Sequence, residues 1–432
     1  MNVPTSSRRP GLRAGIRLGA ALLALAVSAC GGGGGGGDAQ PTPTASPTAS
    51  PTASPTASPT PGPVVGDAAR RAVLKDIGER VILPALRDFD AKAQTLAAAV
   101  SALSEVPGDV TDRTEAQEAW RAATASWQRS EVLQVGPAGL SSGLDATPGG
   151  ANLRDAIYSY PFRNVCTIEQ LAAQDAVVTA GSSIEVTGLG ALEFLLFVDE
   201  ANPCGLATPP TAQQRANYAA SAANRIATVA ADLRNRWETA GGNFIAQWNT
   251  AGDGSTVYAR PQDALDALSV ALFYTEKETK DRKIACPTGI GANGLSCEGN
   301  DVDRVEFSYA RASTPALQAN VQVFRDVFTG LDGGMGINDL LEGIEREDIA
   351  QRLQAELDGT LEAIDALDPD FETAVAAIDD NTACINASSA AEGEPAACAL
   401  HGQIKRAMDI FRTEVVGALS LATPDRAAGD ND

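Results

Sequence analysis

The segment of residues 187–197 places one carboxylate, Glu193, in an otherwise apolar stretch. On a helix, apolar side chains would surround Glu193 on every side, and a helix that is apolar all round is buried. A buried carboxylate needs a partner, because without one its pKa rises or the fold is destabilised. Two interpretations are therefore open: Glu193 pairs with an arginine in the core, or it faces a polar cleft between helices.

Enzymatic chemistry is restricted because the chain contains a single histidine, His401. A Ser-His-Asp triad, a zinc site with two histidines and a facial iron triad all need imidazoles that the chain lacks. The sequence also has no His-Glu-x-x-His motif, which typifies zinc peptidases. We therefore expect a non-enzymatic protein, and metallopeptidase activity is the alternative that an assay must exclude.

Carboxylates could instead hold a cation. Glu131 and Glu193 are the candidate metal ligands, since an all-oxygen site suits hard cations such as Fe³⁺ or Ca²⁺. Arg129 is a candidate counter-charge or ligand-binding residue beside them. The alternative is that Arg129 and Glu131 form an ordinary ion pair, and that any ligand is bound without a metal.

The N-terminal residues 1–30 resemble a bacterial lipoprotein leader. A basic region with four arginines precedes the apolar run 18–27, and Ala-Val-Ser-Ala ends at Cys30. Such a leader is removed rather than folded, and its apolar run is too short to span a bilayer. We therefore expect Cys30 to be lipidated and to anchor the chain to a membrane.

The anchor would be followed by a long tether. Residues 31–66 are rich first in Gly and then in Pro, Thr, Ser and Ala, a composition typical of disordered linkers. Gly31 follows Cys30, where an aspartate would favour retention at the inner membrane. We therefore predict a lipid-anchored protein of the cell envelope, at the outer membrane and facing the periplasm.

The rest of the chain is strongly acidic. Residues 67–432 hold 29 of the 33 Lys and Arg residues and 54 of the 55 Asp and Glu residues. This charge excludes nucleic acid, which needs clustered basic residues, and it also opposes electrostatic docking on anionic lipid. The expected partners are the membrane, reached through Cys30, and an envelope protein or a metal-uptake protein.

Six cysteines remain after Cys30. An even number in an exported protein indicates disulfides. We predict sequential pairing, since each pair then encloses a stretch rich in Gly, Pro or Asn that is typical of a loop. The predicted pairs are Cys166–Cys204, Cys286–Cys297 and Cys384–Cys398.

Apolar residues recur with a helical period through most of the remaining chain. The predicted helices span 67–104, 111–135, 184–198, 211–240, 261–284, 314–329, 345–367, 369–379 and 394–421. Pro84 is expected to kink the first helix, and Asp112 or Thr114 to cap the second. Only residues 176–180 and 255–258 look like strands.

Long amphipathic helices joined by loops predict an all-α fold. The helices are too many for one four-helix bundle. We therefore expect two antiparallel four-helix bundles packed side by side, with long loops bracketed by disulfides. The halves would cover about 67–240 and 241–432.

Several motifs together resemble the imelysin-like family, exported helical proteins first classed as insulin-cleaving membrane proteases. Gly188, Glu193 and the apolar residues 194–197 match in register the family signature Gly-x-His-x-x-Glu. Position 190 should be histidine and is Gly190. The other matching segments, in chain order, are 81–84, 127–131, 158–161, 307–308 and 320–330.

This resemblance implies two helical bundles with a cleft between them and an envelope role linked to iron acquisition. It also implies that the signature His and Glu, three residues apart on one helix face, hold a metal, and it places Ser308 and Tyr309 nearby as ligand-binding residues. Gly190 leaves only Glu193 of that pair. We expect a non-enzymatic binding or accessory lipoprotein connected with iron or metal uptake. The alternatives are a degenerate metallopeptidase and a structural or ligand-recognition protein without metal.

Overall fold

The computed structural model describes residues 65–424, except 144, 145, 159, 201, 293, 294, 296 and 298. The predicted leader, its lipidation site Cys30 and the linker up to residue 64 lie outside the described residues. Within the described part there is no strand, only two single bridges, Leu140 to Ala146 and Ala292 to Leu295. The strand prediction for 176–180 and 255–258 is wrong, because neither segment finds a second extended segment to pair with.

The first half of the described chain folds into seven α-helices. They are α1 (Asp67–Asp76), α2 (Leu83–Glu105), α3 (Val110–Glu131), α4 (Leu153–Ile157), α5 (Val165–Ala173), α6 (Gly188–Phe197) and α7 (Ala212–Trp237). Two short 3₁₀ turns, Gly136–Ala138 and Ile184–Val186, lie between them. None of the helices in the described part is both long enough and apolar enough to cross a bilayer.

Helices α1 and α2 form one continuous rod with a π-helical turn, Ile77–Ile82, just before Pro84. Proline has no N–H and crowds the preceding turn, so the helix widens ahead of it. The predicted disturbance at Pro84 therefore takes the form of a π turn.

Helix α3 begins earlier than its predicted caps. Asp109 accepts hydrogen bonds from the backbone N–H groups of Thr111 at 2.7 Å and Asp112 at 3.0 Å. The prediction of Asp112 or Thr114 is wrong because the turn at 107–108 ends directly before Asp109, which leaves this residue in the position of a cap.

The second half contains the remaining helices of the described chain. They are α8 (Phe244–Asn249), α9 (Pro261–Leu272), α10 (Cys286–Thr288), α11 (Ser313–Thr329), α12 (Ile337–Glu342), α13 (Glu347–Asp365), α14 (Phe371–Ala376), α15 (Asn381–Ala390), α16 (Ala396–Ile410) and α17 (Val416–Leu419). Two π-helical segments, Thr275–Ala285 and Phe411–Val415, extend α9 and α16, and a 3₁₀ turn covers Val302–Arg304.

The most extensive helix contacts lie within each half. Helix α2 lies against α3 and α7, and α6 against α7 and α3, whereas α13 lies against α11 and α16. The halves meet where α3 packs on α11 and where α1 packs on α8, α9 and α12, and one cluster of buried apolar side chains extends through both. The all-α prediction is confirmed, while the two-bundle arrangement and its boundary near residue 240 stay predictions.

All six cysteines of the described part are paired as the loop compositions predict. The disulfides are Cys166–Cys204, Cys286–Cys297 and Cys384–Cys398. The third does not bracket a long loop, however, because Cys384 lies in α15 and Cys398 in α16. Helix α15 was not predicted, although Asp380 caps it by accepting from the backbone N–H of Thr382 at 2.8 Å.

Two helical glycines provide a test of the α15–α16 packing. A Cβ at Gly402 in α16 would lie 1.8 Å from the carbonyl oxygen of Ser388 in α15, whereas one at Gly359 in α13 would meet nothing within 4 Å. Gly402→Ala should therefore destabilise the protein by about 1–3 kcal/mol through overpacking. Gly359→Ala should stabilise it by up to about 1 kcal/mol through helix propensity. Urea unfolding followed by circular dichroism measures both, and a Gly402→Ala variant as stable as Gly359→Ala would contradict this packing.

Candidate functional site

The site begins at the first turn of α6, whose entry only glycine allows. Gly188 has φ +77°, and a Cβ there would lie 2.5 Å from the carbonyl oxygen of Ile157. The indole N–H of Trp120 donates to the carbonyl of Leu189 at 2.9 Å. These two contacts hold the start of α6, and they thereby set the direction of Glu193, which lies one turn further along.

Glu193 is completely buried and ion-paired. One carboxylate oxygen receives the guanidinium of Arg163, and the other accepts the backbone N–H groups of Tyr309 at 3.0 Å and Ala310 at 3.1 Å. Burial raises the pKa of Glu193, while Arg163 and the two backbone donors oppose that rise. The sequence left two interpretations of Glu193 open, and the structure shows the first of them, pairing with an arginine.

Gly190, at the position of the signature histidine, faces Arg163. A Cβ at Gly190 would lie 3.7 Å from Cε2 of Tyr158 and 3.9 Å from Cδ of Arg163, both ordinary contact distances. The backbone therefore tolerates a side chain here. A longer one, such as imidazole, would extend into the space of Arg163 and Tyr158.

The donor set around Glu193 does not fit the metal that the family resemblance implies. The carboxylate oxygens already face a guanidinium and two N–H groups, and the second ligand of the signature is missing. No group of three or more His, Cys, Asp or Glu side chains that could hold an ion occurs in the part of the chain that the structure describes. The Fe³⁺ or Ca²⁺ site at Glu131 and Glu193 therefore stays a prediction, and the geometry favours a site without a metal.

The other predicted site residues lie in different surroundings. Glu131 receives Arg154 at 2.9 Å and Lys283 at 3.5 Å. Arg129 pairs with Asp326 of α11 at 2.6 Å and does not pair with Glu131. The ion pair considered between Arg129 and Glu131 is therefore not formed, and Arg129 instead joins α3 to α11 through Asp326.

Ser308 and Tyr309 do lie beside Glu193, but the main chain makes the contact. Ser308 is half-buried, and Tyr309, which is 40 % exposed as a residue, contributes its backbone N–H to the carboxylate. The guanidinium of Arg163 lies 4.5 Å from the centre of the Tyr309 ring. This cation–π contact helps to hold Arg163 against Glu193.

A second buried charge, Lys283, organises the interior next to this site. Its ammonium group lies 2.8 Å from Glu306, 2.7 Å from the side-chain oxygen of Gln128 and 3.0 Å from that of Asn320, besides its contact with Glu131. All five side chains are at most 3 % exposed. A buried charge is tolerated only when it is paired and hydrogen-bonded, and here two carboxylates and two amides meet that requirement.

Glu306 connects this network, termed here the Lys283 network, to the surface. One carboxylate oxygen, Oε1, accepts from Lys283, from the hydroxyl of Tyr158 at 2.9 Å and from Gln128 at 3.3 Å. The other, Oε2, is buried without a hydrogen-bond partner among the described residues. Burial and the negative charge of Glu131 raise the pKa of Glu306 to about 7, against the opposing effect of Lys283.

A cavity of about 330 Å³ opens beside Gly190 and reaches Glu306; we call it the Gly190 cavity. Three arginines, two carboxylates, two tyrosines and Thr187 contribute its polar lining. They are Arg163, Arg282, Arg304, Asp303, Glu306, Tyr158, Tyr160 and Thr187.

Most residues of the Lys283 network and of the Gly190 cavity were not predicted from the sequence. Arg163 lies in a loop without periodicity, and Lys283 lies in a π-helical segment whose faces a 3.6-residue period misplaces. A signal did exist for Glu306, since one carboxylate stands between Val305 and Phe307 in an apolar context.

The comparisons with known proteins agree on one family. The family model for imelysin, peptidase M75, matches residues 82–402. The structure is similar to that of an imelysin-like protein from Psychrobacter arcticum 273-4, with a TM-score of 0.61, 15 % identity, and 84 % of this chain and 99 % of that one covered. No curated protein matches the chain.

A second solved structure, from Parabacteroides distasonis ATCC 8503, belongs to a protein described as an iron-regulated protein A precursor. It has a TM-score of 0.59 and 19 % identity, and the match covers 81 % of this chain and 96 % of that one. At such identities the two structures establish a shared fold and nothing about ligands.

Arg163→Gln should leave the buried carboxylate of Glu193 without its cation and destabilise the protein by about 3–5 kcal/mol. The pKa of Glu193 should rise further, so the folded state would hold a proton that the unfolded state has released. The loss should therefore be larger at pH 8 than at pH 5, as urea unfolding at both values would show. Glu193→Gln is the companion variant, since an amide oxygen can still accept from Tyr309 and Ala310. Its loss should be smaller, and equal losses would contradict the assigned pairing.

The raised pKa of Glu306 predicts a pH dependence of stability. Between about pH 4.5 and 7 the folded state retains a proton that the unfolded state has lost, so the free energy of unfolding falls as pH rises through this window. The contribution of one proton is at most about 1.4 kcal/mol per pH unit. Glu306→Gln removes it, so the difference in stability between wild type and variant should slope between pH 5 and 7 and flatten at pH 8. A difference that is constant with pH would contradict the titration of Glu306.

Proposed function

The chain belongs to the imelysin family, and we propose that it is a lipid-anchored, non-enzymatic ligand-binding protein of the cell envelope. The observation that carries the proposal is the state of Glu193, whose carboxylate is held by Arg163 and two backbone N–H groups. A carboxylate engaged in this way supports the fold of the site and is not available to activate water. The adjoining Gly190 cavity then offers a place for a ligand.

Hydrolysis of peptides finds little support in the same residues. A zinc peptidase needs three protein ligands, an open coordination position and a base. The signature histidine is replaced by Gly190, and His401 is buried in α16, where its Nδ1 lies 2.8 Å from the hydroxyl of Ser388. His401 therefore belongs to the packing between α15 and α16.

The envelope location rests on the sequence. The leader ending at Cys30 supports a lipid anchor, and the Gly-rich and Pro-rich linker supports a domain held away from the membrane. We place the protein at the outer membrane facing the periplasm. Its partner there would be another envelope protein.

A role in iron or metal uptake is the second candidate. It is favoured by the similarity to the protein described as an iron-regulated protein A precursor. For Glu193 to bind Fe³⁺ or Ca²⁺ in this protein, Arg163 would first have to move away. Metal binding is therefore expected to compete with the Arg163–Glu193 pair.

Cleavage and metal binding can be tested separately on the full-length protein in detergent. Incubation with unfolded protein substrates should give no cleavage, with or without a chelator. Calorimetric titration with Ca²⁺ and with Tb³⁺, a soluble hard trivalent ion, should give no saturable heat. The double variant Gly190→His, Arg163→Ala restores the His–Glu pair and removes the competing guanidinium, so it should gain metal binding. Chelator-sensitive cleavage by the wild type would overturn the proposal, and metal binding that Glu193→Gln abolishes would favour the second candidate over a site without a metal.

A further inference from the structure

We propose that the Gly190 cavity binds a small organic carboxylate that also carries a hydroxyl or amino group. This inference rests on the proposed ligand-binding function and names the class of its ligand. It follows from the charge of the cavity lining, from buried polar atoms that lack partners, and from the size of the cavity.

The lining of the cavity contains more arginines than carboxylates. Arg163, Arg282 and Arg304 outnumber the carboxylates Asp303 and Glu306, although the whole chain carries a net charge of −22. On so acidic a protein, an anion is repelled by most of the surface. Arginine donors in a cavity wall are therefore the place where an anion can be held, although Glu193, Glu278 and Asp301 outside the lining partly neutralise these three arginines.

Each arginine of the lining has a carboxylate partner in the protein itself. Nε of Arg304 pairs with Asp301 at 3.2 Å and Nε of Arg282 with Glu278 at 3.3 Å, while Arg163 is fixed by Glu193. A guanidinium has five N–H donors in a planar fork that matches a carboxylate. Orienting one edge through a protein carboxylate therefore leaves donors on the other edge for a ligand.

Two buried donors at the cavity need a hydrogen-bond acceptor, and an anion would provide one. Nη1 of Arg304 is buried and has no hydrogen-bond partner in the described part of the chain. Thr187 is 8 % exposed, and its hydroxyl is likewise unpartnered there. An unpaired buried donor destabilises a fold, and a ligand carboxylate would offset that penalty. Thr187 also precedes α6, whose first-turn N–H groups favour negative charge.

One buried oxygen at the cavity, by contrast, needs a hydrogen-bond donor. Oε2 of Glu306 is buried without a partner among the described residues, although Oε1 of the same group has three. A simple inorganic anion that is fully ionised offers no hydrogen to this oxygen. A ligand that has an O–H or N–H group beside its carboxylate would satisfy Glu306 and the arginines together.

The volume of the Gly190 cavity and its apolar lining indicate what the rest of the ligand should be. The volume of about 330 Å³ lies at the lower end of the range for small-molecule sites. Pro161, Phe162, Leu295 and Val305 line the remaining walls. The ligand should therefore carry a compact apolar group, such as a single ring or a short branched chain.

Calorimetry with four probes on the full-length protein in detergent tests the ligand class. The first probe, 3-phenyllactate, has a carboxylate, a hydroxyl and a ring, and it should bind saturably with one molecule per chain. Removing the hydroxyl, as in 3-phenylpropionate, should weaken binding at least tenfold. Removing the carboxylate, as in 2-phenylethanol, should abolish it, and inorganic sulfate, which is fully ionised and carries no hydrogen, should not bind.

Variants locate the binding. Arg282→Gln and Arg304→Gln should each weaken 3-phenyllactate binding at least tenfold. The matched control is Arg236→Gln, because Arg236 pairs with Asp232 at 3.1 Å and four residues away on α7, as Arg282 does with Glu278 on its own segment. This control should bind like the wild type. Thermal melting of each variant confirms that it is folded.

Three results would overturn the inference: no binding of either carboxylate probe, sulfate binding as tight as that of 3-phenyllactate, or equal losses in Arg236→Gln and Arg304→Gln. These failures are distinguishable from failure of the proposed function. If no probe binds and no cleavage occurs, the non-enzymatic assignment stands and only the ligand class is wrong. Chelator-sensitive cleavage would overturn the proposed function whatever the probes do.

Discussion

The pairing of buried charges is the constraint on which the rest of this structure depends. Lys283 and its partners come from α3, from the π-helical segment Thr275–Ala285, from α11 and from the chain around Glu306. Removing one partner from such a set leaves an uncompensated buried charge, which typically destabilises a protein by about 3–5 kcal/mol. The four elements therefore cannot shift independently of one another.

Glu193 imposes a similar condition on α6, because its carboxylate must meet Arg163 and the backbone at 309–310. The two charge clusters meet in residues 305–310, which supply the side chain of Glu306 to one and two backbone N–H groups to the other.

Much of the fold was predictable because most helices bury a regular apolar face. Helix α7 is an example in which the local sequence determines where a helix begins, since Thr211 and Gln214 form a capping box at its start. Prediction failed where tertiary contacts decide the outcome. The segment of helix α15 was interpreted as a loop because the stretch between Cys384 and Cys398 contains Gly, Pro and Asn, yet Asp380 caps the helix and the Cys384–Cys398 disulfide ties it to α16.

The sequence predicted that a buried carboxylate would need a partner at the candidate site, but it did not identify the partners of the charged residues. An apolar segment with a single carboxylate required a partner for Glu193, but no local rule identifies an arginine 30 residues away in a loop. Lys283 was harder still to predict. In a π-helix each residue turns by less than it does in an α-helix, so the face on which Lys283 lies cannot be derived from an α-helical period. The metal interpretation of Glu131 and Glu193 treated two carboxylates as one set, whereas the fold gives each its own cations.

Glu306 ties ligand binding to stability, because it belongs both to the Lys283 network and to the Gly190 cavity. Its Oε1 atom is satisfied by the network, and its Oε2 atom is buried without a partner among the described residues. The desolvation penalty that raises the pKa of Glu306 is therefore only partly offset by protein contacts. A ligand that donates a hydrogen bond to Oε2 binds the folded state alone and relieves that penalty where it arises. Occupancy of the cavity must then stabilise the whole network by mass action. It must also favour the ionised form of Glu306, since a donor at Oε2 interacts more strongly with a carboxylate than with a carboxylic acid.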